Sequence, residues 1–247
     1  YYLDEKKLAQ GDTTFMVFYV GHLKAGSSSS DKDERADATE AIMKYHEERY
    51  DRTNYFICGD FNIQTSSEEC YQNLIAQSNT ALRFHDPLGR NASWNNNGTY
   101  AFLHTQSTRS SSNGCASSGG LDDRFDFILC GQEVLENDYG VGYIAGSFNA
   151  LGNDSKHFNQ SIISSSNTSV PATVLSALYN MSDHLPVVMK VGVGRSLSSA
   201  RDLGIDNYLI LNNPVVDRLN WKLQAPTEGS LEIRDMQGKL VYAQAID

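Results

Sequence analysis

The chain has no long hydrophobic run. Nothing in its 247 residues approaches the roughly 18 consecutive apolar residues that span a bilayer, so no membrane span is expected. A signal-peptide order is also missing, because Tyr1-Tyr2-Leu3-Asp4-Glu5-Lys6-Lys7 does not place a charged stretch before an apolar one. The sequence does not start with methionine, and it reads as a mature or trimmed fragment. Cysteine is scarce. The four, at positions 58, 70, 115 and 130, show no C-x2-C spacing, which argues against a zinc site. Cys58 and Cys130 fall in apolar runs and read as buried thiols, whereas Cys70 and Cys115 have more polar neighbours and are candidates for pairing in an exported protein. Positive charge is in short supply: 20 Lys and Arg face 30 Asp and Glu, a formal net charge of −10. That balance excludes a protein that holds nucleic acid by bulk electrostatics, although an enzyme that cuts and releases a polyanion remains open.

What is present is enough apolar material, 40% of residues, for one large domain and a small one. The run Thr14 to Val20 is continuously apolar and is expected to form a strand covered on both faces, ending at Gly21-His22. After a Ser-rich loop, the segment from about Asp31 to Tyr50 reads as an amphipathic helix, its apolar positions at Ala38, Ala41, Ile42 and Tyr45 and its first turn acidic. A strand from Tyr55 to Cys58, a helix around Ser67 to Ala76, a strand from Phe125 to Leu129 and a strand from Leu185 to Val191 follow. Helices and strands alternate first and strands dominate later, which points to an α+β protein in which helices flank a sheet sandwich. From Gly192 the chain turns to Gly and Ser, so a linker is expected over 193–207. The segment 208–247 reads as a small β unit with a turn at Asp235 to Lys239.

Four islands place polar groups at the ends of apolar strands: Gly21-His22-Leu23-Lys24, Gly59-Asp60-Phe61-Asn62, Arg124-Phe125-Asp126 and Ser182-Asp183-His184. Residues two apart on a strand share a face, so Asp60 and Asn62 are aimed at one point, while the adjacent Asp183 and His184 project to opposite sides. Taken singly, Gly-Asp-x-Asn more often marks an Asx-type turn, and a strand-end His22 is more often a turn or core histidine. Taken together, the islands supply the carboxylates, amide and imidazoles that phosphodiester hydrolysis needs around a metal, a water and a leaving alkoxide. Asp126 is a candidate to orient His184. Between Pro87 and Leu121 there is no Asp or Glu, while Arg90, Arg109, His104, Trp94, Tyr100 and Phe102 all occur; the window is either a surface for a polyanion or a polar loop with scattered aromatics.

On these motifs, residues 2–192 resemble the endonuclease/exonuclease/phosphatase superfamily, which includes pancreatic-type deoxyribonuclease and bacterial sphingomyelinases. The resemblance implies a four-layer αββα sandwich and catalysis with Mg²⁺, or with Mn²⁺ or Ca²⁺. It assigns His22 to the scissile phosphate, Asp60 and Asn62 to the nucleophile, the transition state and the metal, Asp126 to His184, Asp183 to the metal, and His184 to the base or a phosphate contact. Arg109 and Arg124 are expected to bind substrate. The run His104 to Arg109 leading to Gly119 to Asp126 is similar to bacterial extracellular members, and Leu151 to Asn159 is expected at the cleft rim or as a solvated loop. The family also carries an Asn and a Gln-Glu pair on early strands. Nothing before His22 supplies them, which fits a fragment.

Asn213 to Asn220 and Leu231 to Val241 are similar to part of the type IX secretion sorting domain of Bacteroidetes, which implies a secreted or cell-surface protein handled by that secretion machinery. The expected function is a secreted, metal-dependent phosphodiesterase with nucleic acid as substrate rather than as a stable partner. A phosphatase or phospholipid phosphodiesterase on the same site, and a non-catalytic binding protein, are the alternatives.

Overall fold

A computed structural model describes residues 14–49, 53–112, 114, 116–193, 208–210, 221–223, 229–234 and 240–246. The chain divides into two units, Tyr1–Gly194 and Arg195–Asp247. The linker expected over 193–207 lies, from residue 194 on, outside the described residues, as do Cys115 and the turn at 235–239.

In the first unit, strand β1 (Val17–His22) runs parallel to β2 (Tyr55–Asp60), in a register that pairs His22 with Asp60. Antiparallel to β2 lies β4 (Asp126–Gly131), which puts Asp126 opposite Asp60, and the short β3 (Phe84–His85) completes a sheet of order β1-β2-β4-β3. Helix α1 (Ser29–Glu48) connects β1 to β2, and its start is fixed by a capping box in which Ser28 and Asp31 exchange hydrogen bonds. Helix α2 (Glu69–Ile75) follows β2. The pattern is mixed α/β, with helices set against a multi-stranded sheet.

Both faces of β2 are buried because its neighbours are different on each side. Tyr55 and Ile57 join Phe61, Tyr71, Leu74, Phe84, Trp94, Phe127 and Leu129 in one core. Phe56 turns the other way, into a second cluster with Cys130, Val134 of helix α3 (Gln132–Glu136) and Val141 of β5 (Val141–Tyr143). Strand β1 differs from expectation: its alternation leaves Val17 and Tyr19 on the core while Phe18 and Val20 are 57% and 79% exposed, so among the described residues it is covered on one face only. The buried stripe of α1 matches the expected one in part: Ala38 and Ile42 pack against the core, and Ala41 is exposed. Arg35, Ala36, Thr39, Met43 and His46 face inward, and Tyr45 is exposed.

The rest of the first unit is short strands and ordered loops: β6 (Asn149–Ala150), helix α4 (Ala172–Met181), β7 (Val187–Val188) and β8 (Val191–Val193), with β5 paired to β8 and β6 to β7. The single strand expected from Leu185 to Val191 is thus split into two. Cys58, Cys70 and Cys130 are free thiols. In the second unit, β9 (Tyr208–Ile210) pairs antiparallel with β10 (Trp221–Leu223), and β11 (Gly229–Arg234) with β12 (Leu240–Ile246). No helix among the described residues is long and apolar enough to cross a membrane.

Gly59 carries the β1–β2 register. It adopts φ +139°, and a Cβ there would sit 1.9 Å from the carbonyl oxygen of Gly21, whereas a Cβ on Gly21 meets nothing closer than 3.9 Å. Gly59→Ala is expected to cost at least about 2 kcal/mol, since it adds a backbone clash to a conformation that L-residues avoid. Gly21→Ala should stay within about 1 kcal/mol of wild type. Denaturant unfolding of the two variants checks this, and equal effects would contradict the contact.

Candidate functional site

The strand register sets three polar side chains side by side at one end of the sheet: His22, Asp60 and Asp126. His22 is the outermost, its side chain 74% exposed, with Nε2 3.4 Å from Asp60 Oδ2. His184 reaches the same row from the loop after α4. Its Nδ1 lies 2.7 Å from Asp126 Oδ2 and its Nε2 3.8 Å from Asp60 Oδ2. Asp60 Oδ1 accepts the Asn62 backbone N–H at 2.9 Å, an Asx turn that holds Asn62 at φ +52°. The Asn62 side chain then donates to Leu23 O at 3.1 Å, tying the ends of β1 and β2 together.

The loop carrying Thr105 and Gln106 locks the remaining pieces. Thr105 Oγ1 accepts the backbone N–H groups of Phe125 and Asp126, both at 3.2 Å, which fixes the entry of β4. Gln106 is bridged to both Asp123 and His184 through its backbone, and its side-chain amide lies 2.7 Å from His184 Nε2 and 3.2 Å from Asp183 Oδ2. Asp183 Oδ2 also accepts Ser117 N–H at 2.9 Å. From the sequence, Arg109 stood out in this run because of its charge. Gln106 was missed, and its only signal was a polar pair, Thr105-Gln106, beside the run's histidine.

Arg109 and Arg124, expected to bind substrate, are both buried. Arg124 is buried, makes a two-pronged ion pair with Asp86 at 2.8 and 3.0 Å and lies over the Trp94 and Phe127 rings. Arg109 is buried against the Tyr179 ring and donates to Tyr179 O. The Arg124 guanidinium is spent on Asp86, whereas Arg109 Nε is buried and has no hydrogen-bond partner. The rest of the acid-free window is divided: Trp94 and His104 are buried, and Arg90 and Phe102 are exposed. A hollow between α1 and α2 is lined by Asp37, Glu40, Glu47 and Glu69 and is a poor place for a phosphate.

Burial raises the Asp60 carboxyl above the ordinary value; the nearby Asp126 adds to this and His184 opposes it. For Asp183, burial pushes upward but the Ser117 N–H and His184 outweigh it, and its pKa is lowered. For His184, burial pushes downward, but the Asp126 hydrogen bond and the charges of Asp126, Asp60 and Asp183 prevail, and its pKa is raised. The imidazolium is therefore favoured by folding. That contribution is complete below the ordinary imidazole pKa and is lost as pH rises through the raised value.

Among the described residues, no group of three or more His, Cys, Asp or Glu side chains is arranged to hold a metal ion. Asp183, expected as a ligand, spends its Oδ2 on Gln106 and Ser117. Asp60 Oδ2 and the Asn62 amide oxygen accept no hydrogen bond, and Asp126 and Asp183 each spend only Oδ2, so these carboxylate and amide oxygens are the donors left over for a cation. A scan against protein-family models and a search of curated proteins both returned no match.

Asp126→Asn removes the charge and the acceptor that favour the imidazolium, so the NMR titration midpoint of His184 should fall relative to wild type. An unchanged midpoint would mean that Asp126 does not govern this ring.

Proposed function

We propose that this chain is a phosphoester hydrolase, with the phosphodiester bonds of nucleic acid as its first substrate. One observation carries the reading: an exposed strand end that gathers Asp60, with an unbonded oxygen, between His22 and the Asp126-oriented His184. A carboxylate of raised pKa next to an imidazole of raised pKa is a base beside an acid, the pair that hydrolysis requires.

Asp60 takes a proton from the attacking water, and Asn62 holds that water or a phosphoryl oxygen. The imidazolium of His184, held at Nδ1 by Asp126 and at Nε2 by the Gln106 side chain, puts a positive charge beside the phosphoryl oxygens. His22 meets the phosphate from the solvent side. A divalent cation, Mg²⁺ or Mn²⁺, would be held through Asp60, Asn62 and Asp183, and would neutralise non-bridging oxygen charge. The superfamily resemblance belongs to the same reading. With it come the four-layer αββα arrangement, a sorting role for 208–247 and a secreted or surface location.

The protein is expected to cleave plasmid DNA or RNA with Mg²⁺ or Mn²⁺, and His184→Ala and Asp60→Asn should each lower the rate by about 100-fold or more. Parallel assays on sphingomyelin and inositol phosphates separate a nuclease from a lipid or sugar phosphoesterase. Cleavage that survives His184→Ala, or that proceeds in excess chelator, would overturn the proposal.

A further inference from the structure

A second group of side chains lies in the loop between β6 and α4, outside the strand-end cluster. His157 is buried, and its Nδ1 lies 2.8 Å from Asp154 Oδ1. Its other nitrogen, Nε2, lies 3.1 Å from the hydroxyl of Ser165. The Asp154 carboxylate accepts the Nδ1 proton, which leaves Nε2 as the acceptor for the Ser165 O–H. These are the distances and roles of a hydroxyl nucleophile, a base and an orienting acid. Asp154 is well suited to stay ionised: burial pushes its carboxyl upward, but the hydrogen bonds from His157 and the Lys156 N–H outweigh it and its pKa is lowered.

The loop is braced as a support for such a group. The Asn167 side chain donates to Gly152 O at 2.9 Å and to Ile162 O at 3.2 Å, clamping the segment that carries Asp154 to the one that carries Ser165. Ser161 Oγ and the Ile162 N–H both reach Thr108 O at 3.1 Å, and Ile162 is fully buried among Leu121, Leu175, Leu178 and Leu185. A histidine needed only for packing would be closed off on all sides. Here the base is buried while its hydroxyl partner Ser165 is exposed, on the wall of an open groove shared with Ile163, Val170, Pro171, Ala172 and Leu175. Helix α4 begins at Ala172 without a side-chain cap, so the N–H groups of its first turn end at the same groove, where they favour a developing oxyanion.

We propose that Ser165, His157 and Asp154 form a second catalytic centre, one that hydrolyses small carboxylic esters with a short apolar acyl group. Ser165 Oγ adds to the ester carbonyl as its proton passes to His157 Nε2. The tetrahedral adduct collapses to an acyl-serine and releases the alcohol, which takes the proton back. Water then adds with the same proton transfer and frees the acid and the serine. No metal enters, and the centre is independent of the phosphoester site.

The test is p-nitrophenyl acetate and butyrate hydrolysis by the whole protein, together with labelling by a fluorophosphonate probe mapped by mass spectrometry. The expected result is hydrolysis above the buffer rate that persists in excess chelator, with the label on Ser165. Ser165→Ala, a change at an exposed position, should lower the rate by about 100-fold or more and abolish the label. Ser164→Ala and Ser166→Ala should do neither, and Ser165→Ala should leave phosphoester cleavage unchanged. Absence of hydrolysis and labelling, a label on another serine, or a Ser165→Ala variant with the wild-type ester rate would each overturn the assignment.

Discussion

The strand-end site depends on how closely two backbones approach. At Gly59 the chain runs against the carbonyl of Gly21 with no room for a side chain, and this contact fixes the parallel register that sets His22 beside Asp60. The antiparallel pairing of β2 with β4 then adds Asp126 to the row. A slip of one residue would turn Asp60 to the opposite face and move every apolar residue of β2 out of its core. Packing and chemistry therefore select the same alignment: Tyr55 and Ile57 meet their own core and Phe56 its own in the register that also assembles the carboxylates.

Around this row, polar groups are held mostly by main chain. Thr105 anchors the first residues of β4, Asn62 ties two strand ends, and Gln106 and Ser117 hold Asp183. Asp60 keeps one carboxylate oxygen out of these hydrogen bonds, and that oxygen lies toward His22 and His184. Further out, a fully buried pair braces the same loops. Arg35 donates to Lys24 O and Gly26 O just past β1 and to Glu68 at 2.6 Å, while Glu68 accepts Gln64 N–H just past β2. The loops that present His22 and Asn62 are thus joined through one guanidinium–carboxylate pair.

Much of this was legible in the sequence, for reasons that individual residues make plain. Apolar runs ending in Gly-His and Gly-Asp marked β1 and β2, because a strand must bury its residues and a tight approach needs glycine. The start of α1 was visible in its acidic first turn. Asp183 and His184, expected on opposite sides of a strand, instead sit in a loop with one Gln106 amide nitrogen within hydrogen-bond distance of both. What was not legible depends on contacts between residues distant in the chain. Arg124 and Arg109 look like free cations until Asp86, 38 positions away, and Tyr179, 70 positions away, claim them. The inward face of α1 combines apolar packing by Ala38, Ile42 and Met43 with a buried charge, Arg35, that only its pairing with the distant Glu68 explains. Likewise, nothing in a local pattern told that His157 would find both an acid and a hydroxyl.

The buried Arg35–Glu68 pair has a consequence for how this sequence can drift over time. Losing either partner strands a charge in the core, a change costing on the order of 3–5 kcal/mol, while an apolar pair of similar volume is close to neutral. A single substitution is therefore a dead end and a double one is a passable route. The two positions are inherited as one character: natural variants of this chain should carry both charges or neither, and the loops they brace will tolerate the change only when it comes as a pair.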